Sequence, residues 1–204
     1  RFILFEKYCF PSILNQSNKN FYWIIFFDLD TPLFYKLKIK KLTEMHETIK
    51  IIFIDNIDSL NQKFKEIISS HLDEKEEKVI TTRLDNDDSV HKNFIETIQS
   101  LSINSTDAVI DLRKGYQLHI ANGFYECRNY YSQFNSFISV VENKENFNTV
   151  YSRKHKDWNI SSKVICYEKS PLWIEVIHKS NKLNDVKYEL MLTNNFDLYE
   201  FGIK

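Results

Sequence analysis

The residues best equipped for chemistry stand at the end of "KVITTRLDNDD", where Asp85, Asp87 and Asp88 fall almost together. Carboxylates this close repel one another, so the arrangement is costly unless a cation shares the charge or water solvates it. One reading is a solvated turn in which Asp88 or Ser89 caps the following helix. A second is a calcium loop: Asp85, Asp87, Ser89 and Glu96 occupy ligand positions 1, 3, 5 and 12 of an EF-hand. It fails, because the sixth position is Val90 where the turn needs Gly, and a strand rather than a helix precedes it. The third is a divalent-cation site at the C-terminal edge of a parallel sheet, where open α/β sheets bind ligands. Short, hard Asp side chains suit Mg²⁺ or Mn²⁺ that keeps positions open for phosphate oxygens, the arrangement that activates a nucleoside diphosphate as a leaving group.

These residues need a scaffold, and the hydropathy pattern supplies one. Phe2, Phe5, Tyr8 (or Cys9), Ser12 and Ile13 recur at helical spacing, with Pro11 interrupting, which predicts a helix kinked or restarted at "FPSILNQ". "FYWIIFFD" at 21–28 reads as a buried strand ending in Asp28, followed by the loop "DLDTP" with Asp30. Helices over 33–47 and 58–72 bracket a second strand at 49–55. "EEKVITTRLD" forms a third strand, a helix covers 88–101, and "DAVIDL" is a strand at 107–112. Strands alternating with helices imply βαβ units and a mostly parallel sheet. In the second half "GYQLHIANGFYECR" predicts two strands about an Asn122-Gly123 turn, then a helix or loop at 133–146, then shorter strands and loops in "NTVYSRKHKDW", "SKVICYE" and "PLWIEVIH". No repeat or linker divides the chain, so residues 1–204 read as one α/β domain.

Composition narrows the function. The chain has 204 residues, enough for one substantial core. A net charge of -1 argues against broad adhesion to nucleic acid or anionic lipid. No apolar run approaches the roughly 20 residues that span a bilayer. Cys9, Cys127 and Cys166 show no metal spacing and are odd in number, which predicts free thiols in a reducing cytoplasm.

With the elements in place, residues 9–30, "CFPSILNQSNKNFYWIIFFDLD", resemble the opening of inverting GT-A glycosyltransferases. There a helix ending in Ser-Ile-x-x-Gln leads through a polar turn into a strand that finishes in acidic residues. "RLDNDD", a little over fifty residues on, resembles their Asp-x-Asp motif. "TTRLDNDDSVHKNFI", "NSFISVVE" and "LWIEVIHKSN" together are similar to a bacterial rhamnosyltransferase family, a likeness covering nearly the whole chain.

The resemblance implies a GT-A, Rossmann-like fold with a small antiparallel C-terminal part. Residues 1–105 would hold the nucleotide-sugar and metal, and 106–204 the acceptor. It implies transfer of a sugar from a nucleoside-diphosphate donor to a glycan or lipid-linked acceptor, cytoplasmic or at the inner face of the membrane. Asp28 would face the base or ribose with Asp30 nearby, Asp85 the ribose, and Arg83 a phosphate unless an Asp neighbour claims it. Asp87, with Asp88 beside it, and the late His178 would hold Mn²⁺ or Mg²⁺. Glu142 is the first choice for the base that accepts the acceptor's proton, and Asp157 the second. His119 reads as structural or acceptor-facing and His91 as outward-facing. A sugar-nucleotide or glycan-binding module without catalysis, and an interaction domain with an incidental acidic loop, are the competing expectations.

One topological expectation is separate. A GT-A helix of this kind follows a first parallel strand, and here the chain opens at Arg1, within the helix. The reading therefore predicts a longer natural protein, an incomplete donor site and an apolar groove beside "YWIIFF".

Overall fold

The computed structural model describes residues 1–56, 58–121, 124–179, 181 and 184–204. The chain opens in helix: α1 (Phe2–Leu4), a π-helical turn over Phe5–Cys9, and α2 (Phe10–Leu14) follow without a break. The wide turn has a cause. Pro11 has no N–H and its ring collides with the carbonyl four residues back, so the preceding turn loosens until Phe10 N–H reaches the Phe5 carbonyl. The helix bulges and resumes as α2 in the stretch "FPSIL", where a kink or restart was expected.

Strand β1 (Trp23–Asp28) pairs in parallel with β2 (Ile49–Ile54), joined by α3 (Leu33–Thr43) as the crossover that parallel strands require. Ile39 of α3, Ile25, Ile49, Phe5, Cys9 and Phe10 bury one another in a core beneath this pair. Helix α4 (Leu60–His71) leads to β3 (Lys78–Thr82). The acidic loop follows, then the two-residue β4 (Ser89–Val90) and helix α5 (Phe94–Ser102), which starts six residues later than expected because Ser89 and Val90 are drawn into a sheet.

The expectation of one mostly parallel sheet is corrected. Strands β5 (Ala108–Leu112), β6 (Lys114–Ala121), β7 (Phe124–Tyr131), β8 (Ser139–Asn143), β9 (Val164–Tyr167) and β10 (Trp173–Ile177) complete two mixed four-stranded sheets. Their orders are β4-β10-β6-β7 and β3-β8-β5-β9. β3 pairs antiparallel with β8, from a segment read as helix or loop. Residues 139–142 are buried on both faces, so they carry none of the alternation by which a strand is read. The hairpin is present, with Lys114 opposite Tyr131 through Ala121 opposite Phe124; its expected turn, Asn122-Gly123, lies outside the described residues. Of the three segments expected to be shorter strands and loops, "NTVYSRKHKDW" forms 3₁₀ turns (Val150–Ser152 and His155–Ile160) and the other two contain β9 and β10.

The two large sheets meet around Trp173. Its indole stacks on Phe137 with centroids 4.9 Å apart, and its Nε1 donates to the Leu112 carbonyl at 2.6 Å. Gly115 makes room: a Cβ there would lie 2.1 Å from the indole. β1 pairs only with β2, and β3 only with β8, among the described residues. Between β1 and β3 lies a groove of about 850 Å³, lined by Trp23, Ile24, Val79 and Ile80, and by Phe64 of α4 and Ile98 of α5. This is the apolar groove expected beside "YWIIFF".

Candidate active site

Four side chains organise the loop after β3. Arg83 folds back onto Asp85: its Nε and Nη2 donate to Oδ1 at 3.2 and 3.0 Å, and Nη2 also reaches Oδ2 at 3.2 Å. The Asp85 carbonyl accepts the Asp88 N–H at 3.3 Å, tightening the loop, and the buried Cys9 thiol approaches the same carbonyl. Burial, then the charges of Asp88, Asp87 and Asp85, push the Cys9 thiol well above its ordinary range, so it stays protonated.

Asp88 turns inward. It is 4 % exposed, and its Oδ1 accepts the Val176 N–H of β10 at 2.9 Å. Burial raises its proton affinity well above the carboxylate range; the Val176 bond opposes this and the Asp87 and Asp85 charges add to it. Asp88 was expected beside Asp87 on the cation. It is instead the anchor that fixes β10 against the loop.

That anchor places His178 just beyond the end of β10, with Nε2 3.0 Å from Asp87 Oδ2. The Asn181 side chain accepts the His178 backbone N–H at 2.6 Å and helps fix the strand's exit. At 3.0 Å the His178 imidazole and the Asp87 carboxylate share a hydrogen bond, and both are groups that Mg²⁺ or Mn²⁺ can take as ligands. Among the described residues no three His, Cys, Asp or Glu side chains form a metal-binding group.

The far end of the loop is pinned by the Ser-Ile-x-x-Gln segment. Buried Gln16 donates through Nε2 to the Ser12 and His91 carbonyls, both at 2.9 Å, and its Oε1 accepts the Ile95 N–H at the start of α5 at 3.0 Å. Ser89 Oγ donates to the Tyr8 carbonyl at 2.8 Å. A motif read as a family mark is, physically, the clamp between the first helix and the acidic loop.

The other expected residues disperse. Asp28 ends β1 exposed, its Oδ1 accepting the Asp30 N–H at 2.8 Å in a local turn, with Asp30 exposed beside it. Glu142 pairs with Val79 near the start of β3, and both its oxygens are taken by backbone: Oε1 accepts the Asn148 N–H at 2.8 Å and Oε2 the Thr149 N–H at 2.9 Å. It steadies a loop in which Thr149 adopts φ 71°, a strained value for a β-branched residue. Asp157 is exposed in a 3₁₀ turn beside the buried Trp158, on the core of Val109 and Val140. The structure brings neither carboxylate to the acidic loop. His91 is not outward-facing: its ring packs edge-on to Phe201, and burial lowers its proton affinity. His119 lies 3.5 Å from Glu126 across the hairpin.

One residue was missed. Glu175, inside the apolar run "PLWIEVIH", is half-buried on β10, and its Oε2 accepts a 2.8 Å hydrogen bond from Gln117 Nε2. Its only sequence signal was a charge interrupting a buried strand.

These elements define an α/β protein of mixed sheets whose acidic loop is closed by a late histidine. The chain belongs to the family described as "Putative rhamnosyl transferase", whose model matches residues 1–189. At family level that description is of a glycosyltransferase. No curated protein and no solved structure matches the chain. Among the described residues no helix is long and apolar enough to cross a membrane.

Proposed function

We propose that the protein is a metal-dependent, inverting glycosyltransferase of the GT-A type, using a nucleoside-diphosphate sugar as donor and a glycan or lipid-linked molecule as acceptor. The observation that carries this reading is the Asp87–His178 pair, two hard-to-borderline donors brought into hydrogen-bond contact from distant parts of the chain, with a further carboxylate, Asp85, and a guanidinium on the same loop.

In this reading Asp87 and His178 hold Mn²⁺ or Mg²⁺. The bound cation supplies charge neutralisation for the departing diphosphate. Asp85, kept in one rotamer by Arg83, accepts hydrogen bonds from the ribose hydroxyls. Arg83 has five N–H donors and can hold Asp85 while meeting a phosphate oxygen. Asp28 and Asp30 receive the base or ribose. Residues 1–105 bind donor and metal, residues 106–204 the acceptor, and His178 reaches across to complete the metal site. The acceptor hydroxyl attacks the anomeric carbon, the bond to the diphosphate breaks with its electron pair, and a carboxylate takes the hydroxyl proton.

The GT-A arrangement also calls for one more strand between β1 and β3. Supporting it, both strands turn an edge without a described partner towards the apolar groove, which has room for an extended segment.

The test is release of nucleoside diphosphate from dTDP-rhamnose, UDP-glucose or GDP-mannose in Mn²⁺, each run with a panel of oligosaccharide and lipid-linked sugar acceptors and with water alone to take the sugar. Release from one donor that stops on adding EDTA is expected. No release from any, with Mn²⁺-dependent nucleotide binding intact, would make the protein a binding module.

A further inference from the structure

We infer that Glu175 is the general base of this site. The inference rests on the transferase reading and fills the place that Glu142 and Asp157 leave empty.

The argument begins with where the strand runs. β10 lies between β4 and β6, so it is an inner strand. Its neighbours Trp173, Ile174, Val176 and Ile177 are all between 0 and 4 % exposed. A carboxylate in such a run is costly unless hydrogen bonds or a neighbouring charge offset its lost hydration. The same strand is tied to the acidic loop at two points, Val176 N–H on Asp88 and His178 on Asp87, and Glu175 lies between them and Trp173.

Its orientation is enforced. Gln117, directly opposite on β6, is fully buried, and its Oε1 accepts the Lys187 N–H at 2.8 Å. That bond decides which way the amide points, leaving Nε2 to donate to Glu175 Oε2 and to the Asp185 carbonyl, at 2.8 and 3.3 Å. Glu175 Oε1 has no hydrogen-bond partner among the described residues. One oxygen is therefore held and the other is available to a hydroxyl.

The charged groups facing Glu175 are Asp85, Asp87 and Lys187, with the buried Asp88 also near enough for the two carboxyl groups to raise each other's proton affinity. Burial first, then Asp85 and Asp87, raise its proton affinity, while Gln117 and Lys187 oppose this. A carboxylate tuned upwards is a better proton acceptor near neutral pH than an exposed one. When the acceptor hydroxyl attacks, its proton passes to Oε1 as the new C–O bond forms.

The test is Glu175→Gln, which keeps shape and can still meet Gln117. Expected are a fall in diphosphate release of roughly 10²-fold or more and Mn²⁺-dependent nucleotide affinity within a few-fold of the parent. Glu175→Asp should recover part of the rate, and the parent's rate should fall with decreasing pH along a limb that Glu175→Gln lacks. A Glu175→Gln rate within threefold of the parent would overturn the assignment alone. No release by the parent from any of the three donors, with any acceptor of the panel or with water, would overturn the transferase reading, and this assignment with it.

Discussion

His178 Nε2 and Asp87 Oδ2 lie 3.0 Å apart although 91 residues separate them in the chain. Nothing local holds them together. β4 pairs antiparallel with β10, Ile174 opposite Ser89 and Trp173 opposite Val90, and Asp88 accepts the Val176 N–H, so the acidic loop and the end of β10 are set by one ladder. The pair exists because a strand of only two residues was drawn out of the loop between β3 and α5.

Asp87→Asn should abolish Mn²⁺-dependent nucleotide binding and leave the fold intact, because the side chain carries no core packing and its removal lessens repulsion with Asp85. His178→Ala should weaken Mn²⁺ binding at least tenfold. Titration of Mn²⁺ in the presence of UDP, dTDP or GDP checks both, and unchanged affinity in either variant contradicts the cation assignment for that residue.

Glu142→Gln should act on stability rather than chemistry. The amide can satisfy only one of the two backbone N–H groups that Glu142 accepts, leaving Asn148 or Thr149 unpaired beside a strained backbone. A loss of roughly 1–3 kcal/mol is expected, visible as a melting temperature several degrees lower. A full-strength fold with turnover reduced about a hundredfold would return the base to Glu142.

The alternation of strands and helices in the first half was legible because β1, β2 and their crossover helix follow local patterns that periodicity reads well. Sheet partnership was not. β8 is buried on both faces and β4 is two residues long, so neither announces itself, and their partners were lost with them. The site divided along the same line. Asp85, Asp87 and His178 stood out as polar residues at strand ends. Glu142 and Glu175 are both carboxylates in apolar runs, and only their hydrogen bonds tell the loop-holding residue from the one beside the acidic loop.

The groove between β1 and β3 predicts a gain of stability from an added strand. A six-residue Val/Ile-rich segment joined to Arg1 through a flexible Gly/Ser linker should raise the melting temperature by about 5 °C or more, since it would bond to the two edges that have no strand partner among the described residues. The same segment carrying two prolines cannot complete those ladders and should give no gain. Equal melting temperatures for the two fusions would contradict the account of the groove.

The central claim is that nucleoside diphosphate and cation bind together at Asp87 and His178. Its most direct measurement is a thermal-shift panel of UDP, dTDP, GDP and ADP, each with and without Mn²⁺, because a ligand that binds only the folded state stabilises it by mass action. The account predicts a rise in melting temperature for at least one nucleotide that needs both components and disappears in Asp87→Asn. Melting temperatures that ignore every combination, or a nucleotide shift unchanged by EDTA, would contradict it.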